Sequence, residues 1–292
     1  MKRWNGVAPG RKASIAEIRR ATPEDSNAIL RMVERDWRVH LRVRPRDMRN
    51  KLATSLGLIA EDPVGLRGFI LLDSQPTGTG LLVAAGVRDT WGTAPYLDSL
   101  LPYLEEAARQ AGLKMLVQIG DAPWLTQELL KRGFEVREWI VTFAWRGDSL
   151  PRVNPAIVTR SARRRDLPAL LELDKLAFDP TWHKPGTNLY EALSRAISFA
   201  VVEMNDHLVG YEWSEKFGPH GHLTRLATHP QYQGRGIGAR LLAQALRDLV
   251  EAGAEQITLN TQETNVRSQR LYRRYGFEDT GQRIAVLQKA LI

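Results

Sequence analysis

The chain repeats itself, and that repetition limits its fold more than any local pattern does. Ile18-Arg19-Arg20-Ala21-Thr22-Pro23-Glu24-Asp25 reads as a short strand followed by a helix start: Thr22 caps, Pro23 takes the first helical position and Asp25 closes a capping box. Val158 to Asp166 restates that start, with Arg160 lying 141 positions after Arg19. Ala111-Gly112 recurs as Ala252-Gly253 at the same spacing, and Lys131-Arg132-Gly133-Phe134-Glu135 recurs as Arg274-Tyr275-Gly276-Phe277-Glu278 at a spacing of 143. An insertion of two residues reconciles the registers. At 292 residues the chain has room for two cores, so two domains of one fold are expected. Their first helices carry apolar stripes at Ala28, Ile29, Met32 and Val33, and at Leu170, Leu171, Leu173 and Leu176. The expected parts are a flexible basic start at 1–14, a first copy at 15–146, a turn-rich linker at 147–156 and a second copy at 157–292.

Within the second copy, Leu223, Leu226 and Ala227 read as a short buried strand that His229-Pro230 ends; the loop Gln233-Gly234-Arg235-Gly236-Ile237-Gly238 follows, and a helix runs on from Ala239 to about Ala252. Glycines allow positive φ and leave no Cβ between backbone amides and a ligand. Successive N–H groups at the positive end of a helix then make an anion cradle. A P-loop needs Lys and then Ser or Thr after the last glycine, where this chain has Ala239 and Arg240. A dinucleotide fold needs its glycines tight against the strand and an acidic residue about 20 positions on, whereas His229 to Gln233 intervene and the next strand, Ile257-Thr258-Leu259, ends in Asn260.

The pattern that remains is Gln or Arg, two residues, Gly, one residue, Gly or Ala, met by Gln233, Gly236 and Gly238. A second motif follows at Asn265 to Phe277: an Asn, a short helix carrying Leu271-Tyr272, then Gly276-Phe277. Together they resemble the two signatures of the GNAT superfamily of N-acyltransferases, closely over Val158 to Leu291 and in outline over the first half. The resemblance implies an α/β fold of two tandem GNAT-like domains, each a mixed, mostly antiparallel sheet flanked by helices. It implies acetyl-CoA as co-substrate, held by Gln233, Gly234, Arg235, Gly236, Ile237, Gly238 and Ala239, with Asn265 on the pantetheine arm. Backbone amides around Leu226 and Ala227 would receive the thioester carbonyl and pantetheine amides where this strand bulges and splays from its neighbour.

The repeat supplies its own comparison. Shifted back by 141, the glycine loop falls on Thr93, Pro95 and Leu97, and shifted back by 143, Tyr272 falls on Leu129. Proline has no N–H to offer a phosphate and Leu97 adds a Cβ. The first copy keeps the fold signals without the chemistry, so it is expected to be structural or to shape the acceptor site.

Amide transfer from a thioester needs a neutral amine, a group to take its proton, an oxyanion donor and an acid for the thiolate. By resemblance Tyr272 is that acid, since a phenol with pKa about 10 is protonated at neutral pH. The key strand has no carboxylate between His222 and His229, which leaves Glu212, His222 and Glu215 as candidate bases. On the preceding strand Leu208, Gly210, Glu212 and Ser214 are expected on one face, and Val209, Tyr211 and Trp213 on the other. Trp182 and His183, in a stretch without periodicity, are candidate acceptor contacts; an ordinary loop anchored by Trp182 is the alternative.

The chain has no cysteine, which excludes disulfides, thiolate metal ligands and a Cys acyl-enzyme. No metal is expected. A net charge of +8 invites a nucleic-acid reading, but the basic residues are scattered and an anionic cofactor uses some of them. Neither nucleic acid nor membrane is expected as a partner, and the absence of a signal or spanning stretch points to the cytoplasm. A monomer is expected, because two copies of one fold can pack as a pseudo-dimer. The acceptor, a small-molecule or peptide amine, is open: Arg225-Leu226-Ala227-Thr228-His229-Pro230 and the Leu271 to Phe277 run look like ribosomal-protein alanine N-acetyltransferases, and the tandem layout is similar to mycothiol synthases. The competing class is a CoA-binding sensor or scaffold without catalysis.

Overall fold

The computed structural model describes residues 17–75, 77–88, 94–120, 122–147, 152–183 and 186–291. The expected flexible start, Thr93 and part of the linker lie outside them. The chain forms two compact units, Met1–Arg137 with Ala285–Ile292, and Glu138–Ile284. Neither boundary falls at the 147–156 linker, because each copy contributes its last strand to the other unit.

In the first unit β1 (Glu17–Arg20), α1 (Ser26–Arg35), β2 (Val39–Leu41), α2 (Met48–Thr54), β3 (Leu56–Asp62), β4 (Gly65–Ser74), β5 (Thr79–Val87), α3 (Ala94–Gln110), β6 (Met115–Gly120) and α4 (Pro123–Leu130) follow in order. The sheet order is β1-β3-β4-β5-β6, antiparallel except for β5 with β6. Ala285–Ala290 from the chain's last strand then pairs antiparallel with Met115–Gly120.

The second unit takes β7 (Glu135–Trp145), β8 (Arg160–Ser161), α5 (Leu167–Ala177), α6 (Gly186–Arg195), β9 (Ser198–Met204), β10 (His207–Phe217), β11 (His220–Thr228), α7 (Ile237–Glu251), β12 (Gln256–Gln262), α8 (Val266–Arg274) and the start of β13 (Phe277–Ala290). Its sheet runs β8-β9-β10-β11-β12 and continues onto Ile140–Trp145 of β7, whose other neighbour is β13. Again one pair, β11 with β12, is parallel. Both units therefore build the mixed, mostly antiparallel sheet that the repeat and the resemblance implied.

The repeated helix starts have the same cause. Asp25 takes the Thr22 N–H at 2.8 Å and the Arg19 guanidinium at 2.7 and 2.9 Å. Asp166 takes the Arg163 N–H at 2.7 Å and the Arg160 guanidinium at 2.7 and 3.0 Å. That guanidinium holds the Asp166 carboxyl below its ordinary range, so the first turn keeps an ionised cap.

In the second unit α5 and α6 cover one face of the sheet through Leu170, Leu173, Leu189, Tyr211, Trp213 and Ala227. Helices α7 and α8 cover the other through Leu223, Leu242, Leu246, Leu259, Tyr272 and Phe277. The Asn205-Asp206 turn between β9 and β10 has φ of 51° and 63°, the left-handed pair of a tight hairpin. One expected face assignment fails. The β9–β10 register slips between Leu208 and Gly210, so Leu208 packs on the α5 side and Val209 beneath α7, while Gly210, Glu212 and Ser214 keep the shared face.

Candidate active site

Gly234 and Gly236 have φ of +81° and +88°, a region where an L side chain costs about 1–2 kcal/mol. They bend the chain after the Pro230–Tyr232 turn so that α7 starts at Ile237 with no side-chain cap. The N–H groups of its first turn, from Ile237, Gly238 and Ala239, have no intrahelical acceptor and point out of the helix end. Gly238 has ordinary helical geometry, and a Cβ there would meet Leu271 and Thr228 at 3.5 Å, normal contact.

Basic side chains gather at this end. Arg235 lies over the Tyr232 ring at 5.0 Å. Arg267 donates to Gln233 Oε1, whose amide nitrogen donates to Thr228 O at 3.3 Å. Arg240, in the first turn of α7, donates through Nη2 to Thr159 Oγ1 at 3.3 Å. Two left-handed glycines and an uncapped helix start with basic side chains beside it suit a phosphate-bearing ligand.

Beside the loop the sheet opens. The β11–β12 ladder covers His220 to Leu223 against Gln256 to Leu259 and then stops, although β11 runs on to Thr228 and β12 to Gln262. The cause is a bulge: Trp213 pairs with Arg225 and Ser214 with Leu223, leaving Thr224 extra. His229 N donates to Val209 O at 2.9 Å. By the alternation of a strand, Ala227 N–H also faces β10, and Leu226 and Thr228 N–H face the opening. Of the two expected amide donors, Leu226 is the one turned to the gap.

Tyr272 closes the floor of this opening. It is 6% exposed and packs with Leu223 and Leu259, the last paired residues of the ladder. Phe143 and Phe277 hold its ring at 6.1 and 5.9 Å. Burial pushes its hydroxyl up to about 12, partly offset by a hydrogen bond with Ser268, so it is a protonated donor throughout the neutral range. Asn265 caps α8, its Oδ1 accepting from Ser268 N at 3.1 Å.

The three candidate bases separate. His222 and Glu215 are paired across the β10–β11 ladder on the α5 face. His222 Nδ1 meets Thr258 Oγ1 at 2.9 Å and Glu215 Oε2 accepts from Thr224 Oγ1 at 3.4 Å. Asn260 and Thr142, bonded to each other at 2.9 Å, continue this polar strip.

Glu212 lies elsewhere, and its expected catalytic role needs correction. It is 0% exposed on the α7 face, bonded to Ser198 Oγ at 2.6 Å, Ser214 Oγ at 2.9 Å and Ala200 N at 3.1 Å. Ser198 Oγ also lies 2.5 Å from Asp248. Burial, above all, pushes Glu212 up to about 7, and the neighbouring Asp248 adds to that rise. Closed off from solvent under α7, Glu212 links β9 to β10, out of reach of an amine.

Between the ordinary 4.5 and about 7 the folded chain holds a proton that the unfolded chain has lost, so this site's contribution to stability falls as pH rises across that window and is flat above it. Glu212→Gln is expected to gain about 2–3 kcal/mol relative to wild type between pH 5 and pH 8, measured by urea unfolding. A difference independent of pH would mean that Glu212 is ionised in the fold.

A buried polar cluster lies on the α5 face. Arg225, 7% exposed, donates through Nε and Nη2 to Asp174 Oδ1 at 2.8 and 2.6 Å and through Nη2 to Trp182 O at 2.8 Å. Its guanidinium carbon lies 3.4 Å from the Phe178 ring centroid, and the Tyr211 hydroxyl donates to the same Asp174 oxygen. Trp182 is thus placed through its carbonyl, and His183 Nε2 meets Phe178 O at 3.0 Å. Sequence reading passed over Arg225 and Asp174. The available signals were a carboxylate four residues after Leu170 on a helix's apolar stripe, and an arginine inside an apolar strand.

Residues 167–277 match the model of the Acetyltransferase (GNAT) family, so the second copy carries a GNAT acetyltransferase domain. Over 123 residues the chain is 26% identical to a candidate [ribosomal protein bS18]-alanine N-acetyltransferase of Bacillus subtilis (strain 168), covering 42% of this chain and 81% of the relative. Over 126 residues it is 31% identical to the mycothiol acetyltransferase of Acidimicrobium ferrooxidans, covering 38% of this chain and 40% of that one. A tandem GNAT protein from the clavulanic acid biosynthesis pathway shares the fold across 94% of this chain and 98% of its own, with a TM-score of 0.67 at 15% identity. The second copy thus matches a family of acyl-CoA-dependent N-acetyltransferases, and the chain as a whole has the fold of a tandem GNAT protein. Among the described residues no helix is long and apolar enough to cross a membrane.

Proposed function

We propose that the second copy transfers an acetyl group from acetyl-CoA to a primary amine by direct attack while both substrates are bound. The observation that carries this reading is the meeting of three elements: the uncapped start of α7, the β11–β12 opening with Leu226 N–H facing it, and the buried, protonated Tyr272 beneath it.

In this reading the loop from Gln233 to Ala239 holds the pyrophosphate, Leu226 N–H polarises the thioester carbonyl and Asn265 borders the pantetheine arm. The α7 face is filled by Leu242, Leu246 and Tyr272, so the amine approaches from the α5 face, where His222 and Glu215 lie. His222 accepts the amine proton, directly or through water. The nitrogen bonds to the carbonyl carbon, the carbon–sulfur bond breaks, and Tyr272 gives its proton to the departing sulfur. His222→Gln is expected to lower kcat at least tenfold with CoA affinity within about twofold. Equal turnover would pass the role to Glu215 or to water.

For the acceptor, the first two relatives suggest a peptide α-amine and a small amino-sugar conjugate. The deciding experiment is thiol release from acetyl-CoA with N-terminal peptides and small amines supplied in separate pools. Amine-dependent release identifies the acceptor class. CoA binding with no release from any pool supports a sensor instead.

A further inference from the structure

The two copies treat the same opening in opposite ways. In the first unit the parallel ladder covers Thr79 to Leu82 against Met115 to Gln118 and then stops, while β5 continues to Val87. Every one of these positions lies 141 before its counterpart in the β11–β12 ladder. Here the gap holds a strand of the same chain. Val39–Leu41 pairs with Ala84–Gly86, whose other edge is already taken by β4. Arg42 N donates to Val83 O at 2.8 Å and Val87 N to Arg38 O at 3.2 Å. Arg42 Nη1 crosses to Ile119 O on β6 at 3.1 Å. Val87 is the counterpart of Thr228, so an amide that the second copy turns to its opening is consumed in the first.

The strand in the gap follows α1. Its counterpart after α5 is the segment 178–183, which forms a turn at Pro180–Trp182 capped by Asp179. The residues behind the two segments account for the difference. By strand register and helix position, Arg225, Asp174 and Tyr211 correspond to Ala84, Val33 and Phe69. At Ala84 a methyl group leaves the edge of β5 clear for a strand. At position 225 a guanidinium stands there instead, stacked on Phe178 and bonded to the Trp182 carbonyl. Its burial is possible only because Asp174 shares it.

We propose that Arg225, seated on Asp174 and Tyr211, is a positioning residue that holds segment 178–183 off the β11–β12 opening. The second copy thereby admits acyl-CoA and an acceptor, and the first copy is closed by its own strand, so that one CoA binds per chain. This rests on the cofactor reading above.

The test gives the second copy the pair that the first copy carries, Arg225→Ala with Asp174→Val, removing both buried charges together. Hydrogen exchange reads it without any ligand: the Leu226 and Thr228 amides exchange faster than Ala85 and Val87 in the wild type and are slowed at least tenfold in the double variant as segment 178–183 settles on β11. CoA affinity falls at least tenfold in the same protein. Arg225→Lys keeps a charge on Asp174 but loses the stacking and the carbonyl bond; it raises acceptor KM about fivefold, leaves CoA affinity within about twofold, and decides the matter if the double variant does not fold. Unchanged exchange and CoA binding in the double variant, unchanged acceptor KM in Arg225→Lys, or two CoA bound per wild-type chain would each overturn the inference. A wild-type chain that binds no CoA while the exchange pattern holds refutes the cofactor reading and leaves the positioning role standing.

Discussion

Tyr272→Phe lowers kcat by about a hundredfold or more and leaves CoA affinity within about twofold. The ring is fixed by Phe143, Phe277 and the α7 leucines, all of which phenylalanine keeps. Only the hydroxyl and its hydrogen bond with Ser268 are lost, and a single hydrogen bond contributes about 1 kcal/mol of stability. The rate loss has a different origin: without the phenol the sulfur leaves as an unprotonated thiolate. Burial has pushed the hydroxyl up to about 12, so the acid form is full across the neutral range and its rate contribution declines only as pH approaches that value. Thiol release and calorimetric CoA binding on the same preparation make the comparison. Equal turnover would remove Tyr272 from the chemistry, and a parallel loss of binding would make it a packing residue.

What could be read from the chain depended on whether a feature is local. The Thr22 to Asp25 cap, the Asn205-Asp206 hairpin, the glycine loop and the α8 start at Asn265 are each set by a few adjacent residues, and each stands where the pattern put it. Strand partners are not local. The alternation in β7 says which residues face a core but not which sheet they join, so the exchange of last strands between the units was invisible. The slip at Val209 shows the same limit within one strand, since a single unpaired residue reverses every face before it. Glu212 fell on the expected face, yet period alone could not say that α7 seals that face with Asp248 beside it. Arg225 was passed over because an isolated charge in a strand is ordinarily solvent-facing, and its partners Asp174 and Tyr211 lie 51 and 14 positions away.

The loop offers a paired test in which fold and ligand make different demands. At Gly236 the backbone has φ of +88° at the turn into α7. An alanine there either holds that angle, at a cost of about 1–2 kcal/mol, or relaxes to negative φ and swings the following N–H groups away from a common point. Both outcomes weaken an anion site built from backbone amides, so Gly236→Ala is expected to lower CoA affinity at least about thirtyfold, roughly 2 kcal/mol. At Gly238 the helix is regular and an added methyl meets Leu271 and Thr228 at 3.5 Å. Alanine also favours a helix by up to about 1 kcal/mol over glycine. Gly238→Ala is therefore expected to keep CoA affinity within about threefold and to unfold at the wild-type temperature or above. Calorimetry with CoA and with desulfo-CoA on both variants separates the terms, because the two ligands share the pyrophosphate and differ at the sulfur. Equal losses for the two ligands in Gly236→Ala place the defect at the phosphate cradle. A Gly236→Ala protein that binds both as the wild type does would mean that the positive φ serves the turn alone and that the anion is held by Arg235, Arg240 and Arg267.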